Sequence, residues 1–523
     1  MLLLPHRNGF VLLSLLALSS TASLAQITTS QVDNARTGAN LHETILTPRN
    51  VDAQHFGKLF SLQVDGDVYA QPLFVPGVDI PGHGRHDVLY VATEHDTVYA
   101  FDAYAPAAPL WQVSLLKQGE APVAEEDVRC FFIRPDIGIT STPVIDLKTG
   151  TLYVLARTRN QHYLSSNEFH QRLHALAITT GGEKLGGPVE IGASVPGRGD
   201  GSSKGQVAFD PLRENPRAAL LLAGNTVYLS WASSCDVGPY HGWIMAYDAQ
   251  TLKQHAVLNV SPDADDSGIW ASDTGLAADN SGFVYAATGN GRFDVAKGGR
   301  DYGDTLLKLN GNDLSIADYF TPYDAEQLNA DDNDLGSGGP MLLPDQPHAP
   351  AHLALIGGKA PTLYVVNRDQ MGHFQPGSDS HAVQTLPTKG GIYGSSAYWN
   401  HTVYVLADSE PLRAYDVANG RLAYKAASTF TLRDHAATPA ISANGNKDGI
   451  VWVVSSKSWN GAPRAAVLHA VDASDVTREL YSSEQNSARD RAGIGMRFNI
   501  PTIASGHVYI GGRREVDVYG LLR

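Results

Sequence analysis

The feature that most constrains this chain is one short phrase occurring eight times. A β-branched and aromatic run surrounds Tyr90 (DVLYVAT), Tyr153 (GTLYVLA), Tyr228 (NTVYLSW) and Tyr285 (GFVYAAT). It returns around Tyr364 (TLYVVNR), Tyr404 (TVYVLAD), Trp452 (IVWVVSS) and Tyr509 (HVYIGGR). Intervals of 40 to 79 residues separate the copies, so similar units are joined by unequal loops. Branched and aromatic side chains lose χ1 freedom in a helix but pack well on a pleated surface, so each phrase reads as a strand.

Two further phrases frame it. After most copies comes a run with a small Ala, an alternating apolar residue and an Asp before a turn: VYAFDA (98–103), LHALAITTG (173–181), IMAYDA (244–249), LRAYDVANG (412–420) and LHAVDA (468–473). That is a strand ending in a tight turn. An aromatic residue follows in some units, as Trp111 and Tyr424 do. Before the aromatic phrase, STPVID (141–146), TPAISA (438–443) and PTIASG (501–506) set Pro at the start of a strand, where its missing N–H costs little. Each unit is therefore about four short strands, with no convincing helical period between them. A small antiparallel sheet cannot bury both faces alone, and stacking such sheets around an axis buries them all. The predicted fold is an all-β, eight-bladed propeller of four-stranded antiparallel blades spanning 26–523. The last unit (501–523) lacks an outer strand, and GKLFSLQVDG (57–66) is predicted to supply it, removing the open edges of the array.

Composition agrees with a folded β protein. Apolar residues at 43% and charged residues at 18% exclude a disordered chain. A formal charge of −15 with no basic run argues against nucleic acid as a partner, because phosphate binding needs clustered Lys and Arg. Residues 1–25 read as an export signal: Arg7 in the n-region, the apolar core Phe10 to Leu18, and small residues at Ser23-Leu24-Ala25. No apolar run is long enough for a membrane span, which takes about 20 residues. The chain is thus expected to be periplasmic or secreted, starting near Gln26. Export favours pairing of Cys130 with Cys235, with two buried thiols as the alternative. Neither cysteine belongs to CxxC or CxxCH, so no built-in haem is expected.

The Ala-x-Asp, Thr-Gly and Trp phrases resemble the repeats of the pyrroloquinoline quinone (PQQ) β-propeller proteins. Asn34, Arg36, Gly38 and LTPRNV (46–51) are similar to the opening of quinoprotein alcohol dehydrogenases. The segment Trp270 to Gly291 (WASDTGLAADNSGFVYAATGNG) resembles a signature of that family. The resemblance implies roles. Trp270 would carry the planar quinone on its indole. Asn290 and Asp236 would ligate calcium, and Asp304 would touch the metal and take the substrate's hydroxyl proton. Lys359 would stand beside the quinone carbonyls. Tyr393, in GGIYGSS (390–396), would face the cofactor where the family places Trp. The family's adjacent cysteine pair is missing, since Phe131 follows Cys130.

Other motifs carry less. DADDSG (263–268) begins like a calcium loop but has Ser at position 5 and Thr274 at position 12. NADDNDLGSG (329–338) suits a solvent loop, and GRGDGSSKG (197–205) a flexible one. His170 and His174 lack the glutamate of a zinc helix and lead into a strand. Two functions follow. One is oxidation of an alcohol or sugar with PQQ and calcium, passing electrons to an external acceptor. The other is a non-catalytic propeller binding protein or polysaccharide.

Overall fold

The structure, a computed structural model, describes residues 25–523 except 166–167, 273, 434, 436–437 and 457–462. The segment 1–25, expected to be an export signal, lies outside the described residues but for Ala25. Eight small, mainly antiparallel sheets stand in a ring, an eight-bladed propeller. Blade 1 shows the pattern, with strands Leu73–Ile80, Gly84–Ala92, Thr97–Asp102 and Trp111–Ser114. The first strands of neighbouring blades touch one another, as Val144–Asp146, Leu221–Ala223, Ala277–Ala278 and Met341–Leu342 do in turn. They form the inner wall.

The ring closes as expected. Phe56–Gln63 pairs antiparallel with Glu515–Leu521, Phe56 opposite Leu521 and Gln63 opposite Glu515, and so becomes the outer strand of blade 8. A preceding segment closes the axis. Its strand Ala39–Asn40 joins Ala440–Asn444 in parallel, and Ile27 exchanges backbone hydrogen bonds with Phe74. Arg36 is fully buried there and donates to the carbonyls of Ser30, Leu220 and Leu276 and to the Thr29 hydroxyl. A guanidinium has five donors in a fixed fork, which suits the converging ends of several blades.

The recurring aromatic phrase has a mechanical reason. In seven blades its aromatic residue is on the second strand, opposite a residue of the inner strand: Leu73 with Tyr90, Val144 with Tyr153, Leu221 with Tyr228, and likewise through Thr502 with Tyr509. Five of the tyrosine hydroxyls cross to the next blade. Tyr90, Tyr153, Tyr228, Tyr404 and Tyr509 donate to the carbonyls of Ile178, Ala249, Gly311, Ala473 and Ala103. The last of these links blade 8 to blade 1. Tyr is used because its ring fills the space between blades while its hydroxyl satisfies a buried turn carbonyl.

The fifth copy corrects the sequence reading. Tyr364 lies on the third strand of its blade, Thr362–Asn367, and Leu355 takes the aromatic position opposite Met341. Likewise, GRGDGSSKG caps a two-stranded hairpin in which Ser194–Pro196 pairs with Gln206–Ala208.

Candidate functional site

Residues four to seven positions before an inner strand converge from six blades: Ile137, Arg217, Trp270, Asp334, Tyr393 and Arg497. Only the ring axis brings such segments together. They line an open pit of about 760 Å³ counted to its mouth, within the range of small-molecule sites. Cys235 and Asp236, after the second strand of blade 3, and Lys359, in blade 5, complete the wall. Cys130 and Cys235 are bonded to each other, Cα atoms 5.6 Å apart, and both face the pit. Here the disulfide joins residues 105 apart in sequence.

The centre of the polar wall is Asp334, 3% exposed. Its Oδ1 accepts from the Asn290 backbone N–H at 2.7 Å, and its Oδ2 meets Lys359 Nζ at 2.6 Å. Lys359 also meets Asp332, which accepts from the Asn290 side chain at 2.7 Å. Burial works against the Lys359 ammonium, but Asp334 and Asp332 outweigh it and hold the proton more firmly than in a free lysine. The acidic loop 329–338, read from sequence as a solvent loop, thus carries the site's main anchor. Asp332 and its neighbours do face solvent, but Asp334 does not.

Asp304 is fully buried at a positive φ of 46°. Its Oδ1 accepts from the Leu335 N–H at 2.9 Å, tying it to the same loop. Burial pushes its carboxyl well above the usual range, and the Asp334 charge adds to this. Asp236 is raised by burial first and by Asp334 second, while the Tyr240 hydroxyl donates to it at 2.9 Å. Trp270 meets Tyr240 edge-on, with ring centroids 6.4 Å apart. Tyr393 lines the pit, and His435 is stacked on it at 3.9 Å.

The Thr-Gly-Asn turn explains itself locally. A Cβ on Gly289 would stand 2.3 Å from Asp334 Oδ1 and 2.8 Å from Trp270 Cδ1. Only glycine lets the indole and the carboxylate close on this turn.

So the structure gathers Trp270, Asp236, Lys359 and Tyr393 around one pit, while Asn290 and Asp304 stand behind its wall, bonded to Asp334 and to Leu335 respectively. Two acceptors there stand out. Asn290 Oδ1 and Asp304 Oδ2 are buried with no hydrogen-bond partner, which native proteins rarely tolerate. Oxygen acceptors short of donors fit a hard cation, and a flat aromatic wall with nearby cationic groups fits a planar anionic guest. Among the described residues, no three His, Cys, Asp or Glu side chains form a metal cluster, so a cation here would also need amide oxygen.

Sequence reasoning missed Asp334, Arg217 and Arg497. Their position just ahead of an inner strand was the available signal.

Among solved structures, the chain is similar to a quinohemoprotein alcohol dehydrogenase from Comamonas testosteroni, at 14% identity over 96% of this chain and 81% of that one, with a TM-score of 0.61. A second quinohemoprotein alcohol dehydrogenase, from Pseudomonas putida HK5, matches at 14% identity over 95% and 80%, TM-score 0.63. A europium-containing methanol dehydrogenase matches at 13% identity over 95% and 98%, TM-score 0.61. No family model matches the chain, and no curated protein matches it in sequence. The likeness is one of fold. This is a propeller of the fold that those dehydrogenases share.

Proposed function

We propose that the protein is a quinoprotein oxidoreductase that oxidises an alcohol or a sugar and passes the electrons to a separate acceptor. The pair of buried acceptors without donors, Asn290 Oδ1 and Asp304 Oδ2, carries this reading. Trp270 would hold a PQQ-type quinone by its face, with Lys359 and Tyr393 at its edge. Asp236, Asn290 and Asp304 would supply oxygens to calcium or a similar cation. A bound quinone supplies the two-electron acceptor that no side chain provides.

The chain's own groups do the rest. Asp304 Oδ2 takes the proton from the substrate hydroxyl, and burial raises its proton affinity above that of a free carboxylate. Asp334 orients Lys359 and the Asn290 backbone. The Cys130–Cys235 bridge keeps the pit wall in place. That proteins sharing this fold are alcohol dehydrogenases supports the substrate class.

The test is titration with PQQ, with and without Ca²⁺, followed by tryptophan quenching and by dye reduction over a panel of alcohols and sugars. Saturable quenching lost in Trp270→Ala, with turnover lost in Asp304→Asn, is the expected result. No saturable quenching would refute the proposal and leave a binding scaffold.

A further inference from the structure

The pit does not end at its wall. Phe132 and Arg497 line it and also line a second cavity, where they are joined by Tyr69, Phe131 and Arg134. Asp67, Arg134 and Arg513 in turn belong both to that cavity and to a third, which reaches His95 and Asp136. The three cavities adjoin through these shared residues and together offer a groove set among blades 8 and 1 and the segment leading into blade 2.

Its chemistry is specific. Phe131 and Phe132 are 59% and 48% exposed, unusual for neighbouring phenylalanines. They are also held rigidly. Cys130 before them is tied to Cys235, the Phe132 carbonyl accepts from the Tyr69 hydroxyl at 3.2 Å, and the Arg497 guanidinium lies 4.2 Å from the Phe132 ring centre. Phe131 and Phe132 thus present apolar ring surface on a pinned backbone.

Further along, polar side chains come in donor–acceptor pairs. Arg513 stands 3.7 Å from Asp67, and His95 is 2.6 Å from Asp136. Such a lining offers donors and acceptors side by side with little net charge. A polyhydroxyl ligand, whose hydroxyls both donate and accept, matches it better than an anion. Sugar rings also carry C–H faces suited to the two phenylalanines.

We infer that this groove binds a neutral oligosaccharide, its terminal unit in the axial pit and the following units over Phe131 and Phe132 towards the rim. The inference rests on the oxidation reading for the pit end only.

Calorimetric titration of the full chain, without quinone, tests it with glucose, the maltose-to-maltotetraose series and the matching β-1,4 series. We expect affinity to rise about tenfold or more from one unit to three in one series. Phe131→Ala and, separately, Arg514→Ala, which removes a cation lining the third cavity beside Arg513, should each remove most of that gain. A flat length series, or both variants retaining the full gain, overturns the inference. An oligogalacturonate binding about tenfold tighter than a neutral chain of equal length overturns the choice of a neutral ligand. Length dependence that persists where quinone and dye give no turnover with any alcohol or sugar supports the groove and overturns the oxidation reading instead.

Discussion

Gly289→Ala disturbs the site without deleting a single functional group. The added methyl would sit 2.3 Å from Asp334 Oδ1 and 2.8 Å from Trp270 Cδ1, both well inside ordinary contact. Gly289 has no positive φ, so the strain is purely one of packing. The Asp334 carboxylate must retreat by about 1 Å to reach normal contact, which stretches its 2.7 Å bond from the Asn290 N–H. Overpacking of this kind costs about 1–3 kcal/mol, and weakening a hydrogen bond to a charged group adds about 1–2 kcal/mol. A total near 3 kcal/mol divided by an unfolding entropy of about 2.1 cal/mol/K per residue over 523 residues is a drop in Tm of about 3 °C. The measurement is a thermal melt alongside quinone quenching of tryptophan. Gly192→Ala is the control, since nothing lies within 4 Å of its Cβ. We expect the Gly289 variant to melt lower and to lose saturable quenching, while the control does neither. A Gly289 variant with native Tm and native quenching would refute the claim that this turn sets the indole and carboxylate.

Tyr404→Phe removes the donor to the Ala473 carbonyl at 2.7 Å in a fully buried contact, and should cost about 1–3 kcal/mol in chemical denaturation, whereas Tyr424→Phe on the exposed outer strand should cost nothing measurable. Replacing both Cys130 and Cys235 with Ser opens a loop of 105 residues and should lower stability by about 2–4 kcal/mol in the same assay. Burial raises Asp67 to about 6 from 3.8, partly opposed by Arg513 and Arg514, so the folded state holds this proton more tightly than the unfolded state does. The group therefore adds stability as pH falls from about 6 to about 4 and none of that gain is present above 6. Asp67→Asn should raise the urea midpoint at pH 8 relative to the native chain and lose this advantage near pH 4.5; an advantage constant with pH would contradict the assignment.

The architecture was legible because inter-blade packing demands the same solution repeatedly. A tyrosine that fills the gap and caps a neighbour's turn leaves a mark in every copy that uses it. Where Leu355 fills the position instead, the mark vanishes, and the nearest aromatic, Tyr364, drew the reading one strand too far. The site was legible in part for a similar reason. Trp270, Gly289 and Asn290 sit in one compact phrase whose spacing is fixed by contact. Asp334 was not, because it lies in a run of acids and glycines of the composition that solvent loops share. Its burial comes from blades 4 and 5 closing on it, a non-local fact. The Cys130–Cys235 bridge was expected from export and is formed, but that it would hold Phe132 on the pit wall was not legible, because which loops meet at the axis is again a non-local fact.

Because Phe56–Gln63 completes the sheet of Glu515–Leu521, the chain's earliest long strand has no partner until its final residues exist. During synthesis that strand must wait, edge exposed, while seven other blades assemble. The same seam sets the Leu522 N–H on the His55 carbonyl at 2.7 Å, so unravelling from the C-terminal side must begin by breaking the contacts that close the ring.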